Sequence, residues 1–152
     1  MAVHTVDTLH YLVGPVKSVC AKVARLATPA EIDDVGVMVL EFENGALGYV
    51  GTAYTIPSSG YLKVHGVDAS VEVKRAGEVI VKHADERSES FSPAVSVNAI
   101  ADELDEFCVD ARTGRRPETG GEEGIRALAV ILAALRSADE GRSVAIAEIL
   151  GE

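Results

Sequence analysis

The sequence predicts an α+β domain: two layers, with an open, mainly antiparallel sheet of five to six strands and helices on one face. Three observations predict it. Apolar residues recur at helical spacing near the start and through the last third of the chain. Between these stretches, short runs of alternating character follow one another with brief turn-rich connections, as in an antiparallel sheet. One connection, Asn44-Gly45, carries the strongest short hairpin signal.

The first helix is read from Val3, Val6, Leu9 and Val13, with Gly14 and Pro15 as its stop. Met1 and Ala2 offer no N-cap, so the run reads as the back half of something longer. Residues 16–25 alternate, with Val19, Ala21 and Val23 on one side, and predict a strand. A turn-rich loop with Pro29 leads to a hairpin: strand 35–43, turn 44–45, strand 46–54. Both turn positions are expected at positive φ. Met38, Leu40 and Phe42 share one face of it, while Val37, Val39 and Glu41 share the other. A hairpin apolar on both faces, with helices enough for one, implies self-association through the second.

The loop IPSSG precedes three short strands, YLKVH, ASVEVKR and VIVKH, joined by GVD and AGE. ADERSESFSPA reads as an exposed polar loop, with Ser92-Pro93 able to start a turn. From Val97, a helix buries Ile100, Leu104, Phe107, Cys108 and Ala111, and Gly114 ends it. A second helix follows a capping box at Thr119 and Glu122. Its predicted buried stripe is Ile125, Leu128, Ala129, Leu132 and Leu135, with Gly141 as the stop. The tail RSVAIAEIL is strand or coil.

The 152 residues suit one domain, residues 1–152, and an apolar content of 47% supports a core. No run approaches the roughly 18 apolar residues of a membrane span. No basic segment leads into an apolar one at the start, so a cytoplasmic location is expected. Cys20 and Cys108 form no CxxC pair and are expected as inert core residues. With 24 acidic against 14 basic residues the formal charge is −10, which repels phosphate backbones and argues against nucleic acid as a partner. Arg112, Arg115 and Arg116 read as a solvated helix end.

His4 and Asp7 share a helical face at i,i+3. An imidazole with a carboxylate nearby is a proton shuttle near neutral pH; equally, the pair suits a surface ion pair or a helix-end contact. His10 extends the series, but HxxDxxH is not a recognised zinc signature and no metal is expected. ETGGEEG lacks the strand and spacing of a dinucleotide fingerprint and the GK[ST] of a P-loop, so capping explains it. Tyr54 and Tyr61 flank IPSSG and would line a sugar-binding surface or pack at a sheet edge. His65 and His83 end strands and read as structural or exposed.

Taken in order, these segments resemble the C-terminal domain of the glucose–fructose oxidoreductase / inositol dehydrogenase / MocA (Gfo/Idh/MocA) family. HTVDTLHYLVGPVKSV is similar to its opening: a histidine, an aspartate three on, an apolar helix, LxG, and a V-x-x-V strand. Asp33-Asp34 and LEFENGALG resemble the next block, and KVHGVDASVEV the following one, with Ala69 where glycine is usual. Glu103 to Phe107, the Gly114 to Pro117 loop, and Ser137-Ala138-x-x-Gly141-x-x-Val144 resemble the closing run.

The resemblance implies the substrate-binding and oligomerisation half of an NAD(P)-dependent oxidoreductase acting on a sugar or polyol, assembled as a homodimer or tetramer through the open sheet face. It implies His4 as the catalytic histidine and Asp7 as a contact to substrate or to His4. Tyr54 and Tyr61 are carried as substrate-binding candidates. The family's Rossmann domain, its lysine, and the aspartate four residues before the histidine have no counterpart in these residues; that aspartate would fall just before Met1. NAD or NADP is therefore expected in a full-length enzyme and not on this chain, which alone is expected to be inactive. The competing reading is a non-catalytic α+β module that dimerises or scaffolds a partner.

Overall fold

The structure, a computed structural model, describes residues 2–57, 60–74, 77–92 and 98–151. Ser58 and Ser59 of the IPSSG loop, Ala76 of the AGE turn, Pro93 and the Val97 helix start lie outside the described residues. The chain folds as two compact units, Met1–Thr55 with Arg116–Glu152, and Ile56–Arg115. Each holds a four-stranded antiparallel sheet, so the expected single sheet of five to six strands is corrected to two sheets within an α+β fold.

In the first unit, α1 (Ala2–Leu12) ends at Gly14, whose φ of 121° suits only glycine and whose N–H donates to His10 O. The sheet runs β3 (Leu47–Ala53), β2 (Val35–Phe42), β1 (Val16–Ala24), β8 (Val144–Ala145). The tail is thus a strand, paired with β1 through Ser18 and Val19. An irregularity between Val16 and Ser18 resets the β1 register. Val16 and Phe42 consequently share the buried face with Val19, Ala21, Met38 and Leu40. Pleating places Cys20, Val37, Val39 and Tyr49 on the opposite, exposed face. The alternation read from the hairpin is therefore present.

The hairpin's turn is not the two-residue type expected. Gly45 has a φ of 85°, but Glu86 is the one non-glycine residue at positive φ among those described, so Asn44 is not. Asn44 instead bridges two elements: its Oδ1 accepts from Ala46 N, and its Nδ2 donates 2.8 Å to Val13 O at the end of α1. Gly45 N donates to Phe42 O at 3.0 Å, closing a turn over Glu43 and Asn44 with left-handed Gly45 after it, and this longer hairpin loop needs no left-handed Asn.

Helix α3 (Gly121–Glu140) and α1 cover the buried sheet face. The stripe expected to be buried on α3 is corrected. Ala127, Ala129, Val130, Ala133, Ala134 and Ser137 are buried, while Ile125, Leu128, Leu132 and Leu135 are exposed. The helix is apolar on both sides, so periodicity could not choose, and small side chains let it approach β1 closely. Only half of the expected capping box forms, one residue later. Gly120 is the N-cap, and the Glu123 carboxylate accepts from its N–H at 2.8 Å. A Cβ on Gly120 would lie 3.2 Å from that carboxylate, so glycine keeps the contact open. A four-residue helix, α4 (Ala147–Leu150), follows β8.

In the second unit, β4 (Tyr61–His65), β5 (Ala69–Lys74), β6 (Val79–His83) and β7 (Ser88–Phe91) form a meander. Residues 88–91 were expected as loop because their side chains are polar and exposed; backbone pairing with β6 makes them an edge strand nonetheless. Helix α2 (Ala99–Thr113) is N-capped by Asn98 and stopped at Gly114. Its expected buried stripe is open: Ile100, Leu104 and Phe107 are each more than half exposed. Both cysteines are exposed, which corrects their expected place in the core; Cys20 lies on the outward face of β1 and Cys108 on α2. The arginines around the end of α2 are engaged locally, Arg115 with Asp110 at 2.6 Å and Arg116 with Glu122 at 2.7 Å.

Candidate functional site

Residue order along α1 sets out the site. Val6 and Leu9 face the core, which turns Asp7 and His10 toward a cleft and leaves His4 exposed one turn earlier. His4 follows the regular helix, its carbonyl accepting from Thr8 Oγ1 at 2.9 Å. Asp7 and His10 line a cavity of about 390 Å³ within the first unit. Thr8 and Tyr11 complete the α1 wall, and Thr119, Glu123 and Arg126 belong to the facing wall. His4 is not among the lining residues.

Both walls are held by their own sequences. Gly14 and Pro15 end α1 abruptly, leaving its last turn as a rim. On the other side, Arg116 reaches Glu122 and Glu123 at 2.7 and 3.1 Å, and Glu123 closes onto Gly120. The backbone N–H groups of Glu123 itself and of Gly120, with Arg116 adding less, hold the Glu123 carboxyl below its ordinary range. His10 is partly buried, and its Nε2 makes no hydrogen bond. Burial lowers the imidazole pKa below 6.5; the Asp7 carboxylate opposes the shift and the Arg126 guanidinium adds to it. His10 is thus neutral at pH 7. The cavity therefore combines a neutral imidazole, hydroxyls, carboxylates and a guanidinium, a mixed donor and acceptor set suited to a small polar organic molecule.

Tyr54 follows β3 and is exposed, its N–H donating to Asp34 O at 2.8 Å. Tyr61 opens β4 in the second unit and borders a shallow recess with Leu62 and Val73. Neither lines the cavity that Asp7 lines. Among the described residues no group of three His, Cys, Asp or Glu side chains is placed to hold a metal, His4, Asp7 and His10 included. The sequence reading missed Arg126 and gave His10 no role but metal ligation. A lone arginine one turn into a helix carries no motif; only the packing of α3 against α1 brings it to His10.

The resemblance blocks have structural reasons here. Asp34 is buried and accepts from the N–H groups of Leu26, Ala27 and Thr28 at 2.8, 2.7 and 2.6 Å, which lower its pKa and tie down the loop before β2. Ser137 accepts from Ala21 N at 2.9 Å and donates to Arg142 O at 2.5 Å, while Gly141 caps α3 at φ 69° and Val144 is fully buried.

The first unit is an α+β layer with one helix-covered sheet face, an exposed histidine on its leading helix and a polar cleft beside that helix. Residues 1–146 match the family described as "Oxidoreductase family, C-terminal alpha/beta domain". The chain belongs to the Gfo/Idh/MocA oxidoreductase family and corresponds to its C-terminal domain. It is 28% identical to myo-inositol 2-dehydrogenase of Thermotoga maritima, over 99% of this chain and 49% of the relative. A crystal structure from Desulfitobacterium hafniense, assigned as an NADPH-dependent oxidoreductase, superposes with a TM-score of 0.90 at 30% identity, covering 99% of this chain and 48% of the other. The WlbA dehydrogenase of Bordetella pertussis, solved with NADH and UDP-GlcNAcA, gives 0.75 at 33% identity, covering 95% and 43%. The chain thus spans about half the length of these relatives.

The Gly120-Gly121 turn does not fit the pyrophosphate of a nicotinamide dinucleotide. Its pyrophosphate needs a glycine-rich turn from a strand into a helix with free N–H groups. The Gly120-Gly121 pair instead follows a loop, its first N–H is taken by Glu123, and Glu122 adds a second carboxylate to that turn.

Proposed function

We propose that residues 1–152 form the substrate-binding and oligomerisation domain of an NAD(P)-dependent sugar or polyol oxidoreductase. The observation that carries this is the pairing of a family match spanning nearly the whole chain with an exposed imidazole at His4, placed one helical turn from the Asp7 cleft. His4 accepts the proton of the reacting hydroxyl as the carbon is oxidised. Asp7 binds a neighbouring hydroxyl, and Tyr54, on the same unit, offers an aromatic face to sugar carbons. The nicotinamide cofactor, NAD or NADP, belongs to a Rossmann domain of a full-length enzyme, as in the NADH-bound dehydrogenase above. The exposed face of Val37, Val39 and Tyr49 is the homo-oligomer contact, and the location is cytoplasmic. No described helix is long and apolar enough to cross a membrane.

The test is ligand-observed NMR and calorimetry on the 152-residue chain with a panel of sugars and polyols, NAD and NADP. Polyol binding that perturbs His4 and Asp7, with no cofactor binding and no turnover, is the expected result. Turnover of any sugar, or cofactor binding, overturns the reading of the isolated chain. Those open apolar faces favour a second reading, a non-catalytic docking module, which predicts self-association with no polyol binding at all.

A further inference from the structure

One arginine stands apart. Among the described residues, Arg25, Arg87, Arg112, Arg115, Arg116, Arg136 and Arg142 each hydrogen-bond a carbonyl or carboxylate. Arg126 makes no hydrogen bond and no ion pair with the described residues, yet it lines the polar cleft of the first unit. Guanidinium groups read carboxylates by two parallel N–H···O contacts, a planar recognition that hydroxyls do not reproduce. Beside it, His10 keeps a buried ring nitrogen without a partner, a condition costly enough to persist mainly at functional positions.

The charges on the cleft are arranged unevenly. Glu123 is committed to Gly120 and Arg116, so it does not compete for Arg126; Glu118 and Asp7 are the other carboxylates of the lining. Asp7, His10 and Arg126 all line the cleft, and Asp7 and Arg126 act on the imidazole with opposite sign. A simple anion gains from Arg126 but loses to Asp7. A neutral polyol satisfies Asp7 and leaves the guanidinium unused. A molecule with hydroxyls at one end and a carboxylate at the other satisfies both.

We propose that this cleft selects a sugar acid: Arg126 binds the carboxylate, and Asp7 with Thr8 and Thr119 binds hydroxyls, with His10 in the same lining. Arg126 is thereby a specificity residue. The inference rests on the sugar-binding reading above and narrows it.

Titration calorimetry on the 152-residue chain with D-glucuronate, D-glucose and myo-inositol tests it, using wild type, Arg126→Gln and, as a charge-matched control outside the cleft, Arg136→Gln. Circular dichroism melts establish that each variant is folded. Glucuronate is expected to bind about tenfold more tightly than glucose, as suits one charge-assisted bidentate contact. Arg126→Gln erases that preference and Arg136→Gln keeps it. Equal binding of glucuronate and glucose, or a preference that survives Arg126→Gln, overturns the inference and leaves the sugar-binding reading standing. Failure of all three probes to bind overturns both.

Discussion

His10 and Glu148 show how single residues tie stability to acidity in separate ranges. The folded pKa of His10 lies below 6.5 because burial disfavours its cation. As pH falls through 6.5 the unfolded chain takes up a proton that the folded chain refuses, so stability drops there and levels off below the folded pKa. Asp7 and Arg126, the charged groups acting on the ring, pull in opposite directions and leave desolvation in control. Thermal melts from pH 7.5 downward should therefore show an early loss in the wild type, and His10→Gln should flatten that limb. Glu148 acts in a lower range. Its contacts with Arg142 at 2.7 Å and with Ala145 N at 3.0 Å bring its pKa from 4.5 to about 2, so their contribution is present above 4.5 and lost as pH falls toward 2. A single loss near pH 4 with no earlier limb would contradict the assignment of His10. The histidine at position 10 was visible in the sequence, but its burial was not, because that depends on α3.

At the scale of elements, β1 and α3 explain each other. β8 pairs with β1 at only Ser18 and Val19, so the Ala21 N–H on that side has no strand partner. Ser137 supplies one and also joins α3 to the turn at Arg142. Ser137→Ala strands a buried donor, and a loss of about 2 kcal/mol is expected in urea unfolding. A loss below about 0.5 kcal/mol, the range of ordinary surface changes, would remove Ser137 from the account of the sheet. The periodicity of α3 located the helix and its Gly141 stop but chose the wrong face, since Ile125, Leu128, Leu132 and Leu135 make an apolar stripe as regular as the small-residue one. Likewise the β2–β3 strands were legible from alternation, whereas the contact of Asn44 with Val13, 31 residues away, was not.

For the whole molecule, the open face of the first sheet is the feature that asks for a partner. Tyr49 and Val39 sit opposite one another across β2 and β3, next to Cys20 on β1, and all are exposed. Sedimentation velocity should show a dimer or larger species, and Val39→Lys should reduce it to the monomer without lowering the melting temperature by more than a few degrees. A wild-type monomer at high concentration would remove the oligomer contact from the proposal.

Local pattern alone determined that this chain combines short antiparallel strands with amphipathic helices, which hairpin residues share a face, and the family its ordered segments resemble. Each of these depends on side-chain periodicity or on glycine positions, properties of neighbours in sequence. Only the tertiary structure decided that the strands divide into two sheets, which side of α3 is inside, and that Arg126 meets His10 across a cleft. Those outcomes depend on backbone pairing of polar residues, on close helix–sheet approach, and on contacts between residues 116 positions apart, none of which leaves a periodic trace.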